Sequence, residues 1–140
     1  MIEQDILNGI IGKLDVLAPD LPIYTEQVKQ GFVQPAFFVM QLNSGQKKEL
    51  NNRSFRSLLF NVHYFPNEDS LTKKSDCREM AERLYEALQF INVGGPVRAT
   101  NLKYEIIDEV LHFFLSFGVH LLEEKTELTK MMQSELEVHL

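Results

Sequence analysis

The apolar positions of the chain switch between two periods. Ile2, Ile6, Leu7, Ile10, Ile11, Leu14 and Leu17 recur at helical spacing. They predict an amphipathic helix from about Glu3 to Leu17, ended by Pro19. Gly9 and Gly12 lie inside it, where they let a helix pack closely on a sheet. Pro22 to Thr25 reads as a short edge strand. Glu26 to Gln34 is a polar connection, with a backbone turn at Gln30-Gly31 and positive φ at the glycine. Between Pro35 and Pro66 two aromatic-rich runs, PAFFVMQL and RSFRSLLFNVHYFP, flank a polar segment. This is the pattern of a long antiparallel hairpin with an extended loop over Asn43–Asn52. Leu58, Phe60, Val62 and Tyr64 share one parity and predict the core face. The first run is apolar on both parities at its start, so it is covered on both sides there.

Asn67–Lys74 is a polar link, and Ser75 or Asp76 is placed to cap the next helix. Cys77, Met80, Ala81, Leu84, Leu88 and Ile91 predict that helix to about Phe90, stopped by Asn92–Pro96. Arg98–Ile107 is a strand candidate, and Asp108-Glu109 a tight turn. After it Leu111, Phe113, Leu115, Phe117, Val119 and Leu121 alternate with His112, Phe114, Ser116, Gly118 and His120, a strand with one buried face. The predicted fold class is α+β: a four- to five-stranded, mostly antiparallel sheet with two helices packed on one face. The expected division is one domain over 1–122 and a C-terminal arm or short helix over 123–140.

Composition narrows the function. Hydrophobic residues make up 44% and charged residues 24% of the 140, which is globular rather than disordered. The net charge of −6 disfavours a nucleic-acid binder. No apolar run approaches membrane-span length, and the acidic Met-Ile-Glu-Gln-Asp start is unlike a secretory signal, so the expectation is a soluble intracellular product without a membrane partner. One cysteine, Cys77, excludes an intrachain disulfide and sits in an apolar helical stripe, which predicts a buried thiol. No phosphate loop, nucleophile elbow or metalloprotease motif is present. His112 and His120 share a face but lie about 27 Å apart along a strand, too far for one metal. His63 could approach either. No catalytic residue, cofactor or metal is expected, and nothing argues for an enzyme. Phe55, Leu59 and Phe114 fall on the outward face, a sign of subunit contact.

Four blocks carry a resemblance. They are Ile23-Tyr24-Thr25-Glu26 with Gln30-Gly31, Pro35 and Phe37-Phe38; Asn52-Arg53-Ser54-Phe55-Arg56; Val62-His63-Tyr64-Phe65-Pro66; and Leu111-His112-Phe113-Phe114. In this order they resemble the tail terminator proteins of prophages and tail-like elements of Gram-positive bacteria. The likeness covers most of Met1–Leu122. It implies a structural protein of the virion tail, assembled in the bacterial host cytoplasm. Such a protein forms a ring, usually hexameric, on the finished tail tube, stops tube polymerisation and presents a surface to the head connector. Its partners would be itself, the tail tube protein and a head-completion protein, with DNA passing through an acidic lumen without specific binding. A closed ring needs two different complementary patches on each subunit. The candidate interface residues are Gln30, Gly31, Lys47, Lys48, Glu49, Arg53, Phe55 and Arg56. The alternatives are a head–tail connector or tail-completion component of similar fold, or an unrelated small ligand-binding domain.

Overall fold

The computed structural model describes residues 2–25 and 32–122. Gln30, Gly31 and the expected arm over 123–140 lie outside the described residues. The elements run α1 (Ile2–Leu17), β1 (Ile23–Tyr24), β2 (Ala36–Lys48), β3 (Arg53–Phe65), α2 (Lys73–Ala87), β4 (Phe90–Asn92), β5 (Pro96–Arg98), β6 (Asn101–Ile107) and β7 (Val110–Leu122). Five strands form one sheet in the order β1-β2-β3-β7-β6, and β4-β5 form a small separate ribbon. Only β1–β2 is parallel; the other main-sheet pairs are antiparallel. This is the expected α+β architecture.

The core follows the two periods. Ile6, Ile10 and Leu14 of α1 and Cys77, Met80, Ala81 and Leu84 of α2 meet Phe37, Val39, Leu58, Phe60, Val62, Leu111, Phe113, Leu115 and Phe117 of the sheet. Arg83 ties the helices by donating from Nη2 to the Leu17 carbonyl at 2.9 Å, which satisfies one orphan acceptor at the end of α1. Gly9 permits the expected close approach, but to β4: a Cβ there would stand 3.1 Å from Ile91 Cδ1 and 3.3 Å from the Asn92 carbonyl. Gly12 faces open space instead.

Several boundaries differ from those predicted. The ten-residue loop is not a loop. Asn43–Lys48 continue β2, and only Glu49–Asn52 connect it to β3. Asn51 and Asn52 both have φ near 60°, the left-handed pair that closes a tight primed hairpin turn. Asp108-Glu109 is the expected tight turn, and its φ values, 52° and 63°, have the same signs. α2 begins earlier than a Ser75 or Asp76 cap would allow. Thr72 stands at its N-cap without a side-chain cap bond. Asp76 accepts from Ser70 Oγ and, at 3.1 Å, from Thr72 Oγ1. The helix ends at Ala87, because Phe90 and Ile91 are taken into β4. Asn92–Pro96 therefore turns a short ribbon, and the predicted Arg98–Ile107 strand is split between β5 and β6.

Candidate interaction surface

The far end of the β2–β3 hairpin, with the end of β7 beside it, gathers most of the predicted interface residues. Lys47 and Lys48 end β2 and Arg53 opens β3. Lys47 stands opposite Phe55, Lys48 opposite Ser54 and Gln46 opposite Arg56. Glu49, in the turn, bonds His120 of β7 through Nδ1 at 3.0 Å. Residues 41–48 are all exposed, since the helices do not cover this end of β2.

The sheet separates these residues by face. Lys47, Arg53 and Phe55 lie on the face away from the helices, whereas Arg56 lies on the helix side. Its Nη1 is 3.4 Å from Glu3 Oε2 of α1, and its guanidinium also bonds Gln46 Oε1. Glu3 further accepts from Gln41 Nε2 at 2.8 Å and from Ser44 Oγ at 2.9 Å. These hydrogen bonds, led by Gln41 and then Ser44, with a smaller contribution from the Arg56 charge, hold the Glu3 carboxyl below its ordinary pKa. Arg56 is thus bound to its own α1 rather than free for a neighbour.

The face away from the helices mixes aromatic and polar groups. Phe55 packs on its own sheet: its ring lies 4.9 Å from that of His120 and fills the space beside Gly118. At the other end Tyr24, Phe32 and Phe65 surround Phe38, with ring centroids 5.0, 5.3 and 5.3 Å from it. That cluster covers the second side of β2, as its two-parity apolar start requires. Between the two ends His63 meets His112 across β3–β7, rings 4.2 Å apart. Burial first, and then the neighbouring imidazole, pushes the His63 pKa down to about 4. Next to this pair Asn61 is 5% exposed and its Oδ1 has no hydrogen-bond partner among the described residues. The parity that sends Leu58, Phe60 and Val62 to the core puts His63 and Asn61 on this face. It could not say which histidine would be the neighbour, nor that Asn61 would be enclosed by Met40 and Phe114 on either side.

Catalytic chemistry has little to build on among the described residues. No group of three or more His, Cys, Asp or Glu is placed to hold a metal ion. Cys77 is buried, and desolvation, reinforced by the Asp76 and Glu109 carboxylates, lifts its pKa to about 11. It is the inert thiol the helical stripe predicted. No helix among the described residues is long and apolar enough to cross a membrane.

Comparison with known proteins bears on the family. No curated protein matches the chain. One solved structure, of a protein with no functional name, is similar over 89% of this chain and 98% of its own, at 15% identity and a TM-score of 0.39. The model of the phage tail terminator protein family matches residues 5–129. The blocks that resemble tail terminators lie within a match spanning nearly the whole chain, so the chain belongs to the phage tail terminator family and its role is structural, in the virion tail.

Proposed function

We propose that the protein assembles in the host cytoplasm as a closed, hexameric ring on the finished tail tube. There it ends tube polymerisation and offers its other surface to the head connector, while DNA passes through the lumen without specific binding. Residues 1–122 form the ring-building domain and 123–140 an arm appended to it. The observation that carries this reading is the uncovered end of the sheet formed by β2, β3 and β7. Its β2 border and its β7 border differ in sequence, which supports a closing head-to-tail contact between two non-identical patches. Lys47, Lys48 and Arg53 are exposed at that end and suit acidic groups of a neighbour or of the tube.

Electron microscopy of tails assembled without the protein tests the reading. Abnormally long tails are the expected result. Tails of normal length that fail to join heads would instead assign the protein to the connector side of the junction. Native mass spectrometry of the protein, alone and on tubes, reports whether a ring forms.

A further inference from the structure

Among the described residues two strand edges have no partner along part of their length. β1 pairs with β2 only at Phe37 and Phe38, and β6 pairs with β7 only from Val110 to Ser116. Among the described residues, the outer edge of β2 from Val39 to Lys48 and the outer edge of β7 from Phe117 to Leu122 have no strand partner. Phe37 N–H donates away from β3 to the Pro22 carbonyl at 3.0 Å, and the Ser116 carbonyl accepts from Thr100 at 2.8 Å on the β6 side. Backbone groups alternate sides along a strand, and the register slips by one residue between Gln41 and Asn43. Hence Ser44, Gln46 and Lys48 turn their backbone groups outward at one edge, and Gly118, His120 and Leu122 do so at the other. The edges are level: Lys47 and His120 both stand opposite Phe55. They also point the same way, because both β2 and β7 are antiparallel to β3.

Unpaired edges are templates for another strand. We infer that the β7 edge of one copy pairs with the β2 edge of the next, in parallel, and that this seam closes the ring. The inference rests on the ring reading above and names its interface. Rotation about a ring axis preserves strand direction along that axis, so a head-to-tail contact joins two edges that run alike, as these do. Three strands from each of six copies make a barrel of about 18, a size that encloses an open channel rather than a packed core. At ~4.8 Å between strands and a tilt of ~40°, the wall is about 36 Å across. A helix layer does not fit inside such a wall together with a DNA duplex, so α1 and α2 lie outside. The bore is then lined by Lys47, Arg53, Phe55 and Ser57, and the acidic side chains of α2 such as Glu79, Glu82 and Glu86 lie away from it. In this arrangement the described part of the lumen is not the acidic surface that net charge alone suggests.

Paired cysteines test the seam. Lys47 and His120 lie two strand spacings apart within a copy, about 10 Å, beyond the ~7 Å limit for a disulfide. The native Cys77 is buried and gives no background. The double variant Lys47→Cys/His120→Cys can therefore bridge only between copies, and Gly45→Cys/His120→Cys brackets a register one pair away. Oxidation of assembled rings should yield a covalent ladder up to the ring size from one of these pairs, and monomers from each single variant. Rings visible by microscopy that cross-link through neither pair overturn the seam and leave the ring reading standing. Absence of any ring overturns both. Gln46→Pro provides the second arm, since proline at an outward-facing edge position leaves the β2–β3 ladder intact. It should keep the native circular dichroism spectrum and abolish rings; folded Gln46→Pro that still forms rings overturns the proposal.

Discussion

The ring of Phe55 occupies the place of the side chain that Gly118 lacks. A Cβ at 118 would overlap Phe55 Cζ, so the two residues are complementary across the β3–β7 pair. Gly118→Ala should destabilise the protein by about 1–3 kcal/mol through overpacking. Adding Phe55→Ala should recover part of that loss. A denaturant series on the two single variants and the double variant measures the coupling; strict additivity would mean that the contact is not the cause.

Asn61 spends stability on a buried oxygen that no other described residue satisfies. Asn61→Val suits a strand and removes that oxygen, so it should raise the stability of the isolated protein by about 1 kcal/mol. A thermal melt checks this. An unchanged or lowered melting temperature would indicate that the amide is already satisfied in the free protein.

His63 should make the protein acid-sensitive. Its folded pKa is about 4 against an unfolded value of 6.5, with His112 beside it and Glu105 across from His112 on β6. Between these values the unfolded chain binds the proton and the folded one does not. The stabilisation is therefore complete above pH 6.5 and is lost as the pH falls through 4. Half-exposure screens the effect, leaving on the order of 1–2 kcal/mol. His63→Gln should flatten the stability profile over that window, measured by urea unfolding at pH 4, 5, 6 and 7. A wild-type slope that survives the substitution would assign it to other groups.

Arg56 and Glu3 join the hairpin to the start of α1 over 53 positions of sequence. The pair is partly exposed, so neutralising it with Arg56→Gln should leave global stability nearly unchanged. Its effect should be local: faster amide exchange in the first turn of α1, with the core amides of β3 and β7 unchanged. Uniformly faster exchange would mean that the pair supports the whole fold.

Much of the fold was legible in the chain because burial writes a period. The alternation from Leu111 to Phe117 and the helical stripes of α1 and α2 are each a direct record of one covered face. Asn43–Lys48 was not legible, since a strand exposed on both faces has no apolar period and looks like a loop. Asn51-Asn52 was the signal available there, a pair suited to a left-handed turn. The ribbon of β4 and β5 was missed because three-residue strands are too short to show alternation, and Gly94 and Gly95 read only as a stop. Lys47, Lys48, Glu49 and Arg53 come together because the hairpin turn is tight. Arg56 is withdrawn from that group because parity sends it to the helix side, where Glu3 waits.

Leu42, 44% exposed, sits where the β2 ladder slips: Gln41 faces Phe60 and Asn43 faces Leu59. It is an extra rung that pairs with nothing, so its removal leaves the partner of each later β2 residue unchanged. Chain length can therefore vary at this spot without altering the wiring of the hairpin beyond it, and a one-codon deletion here should act as mildly as a conservative exchange.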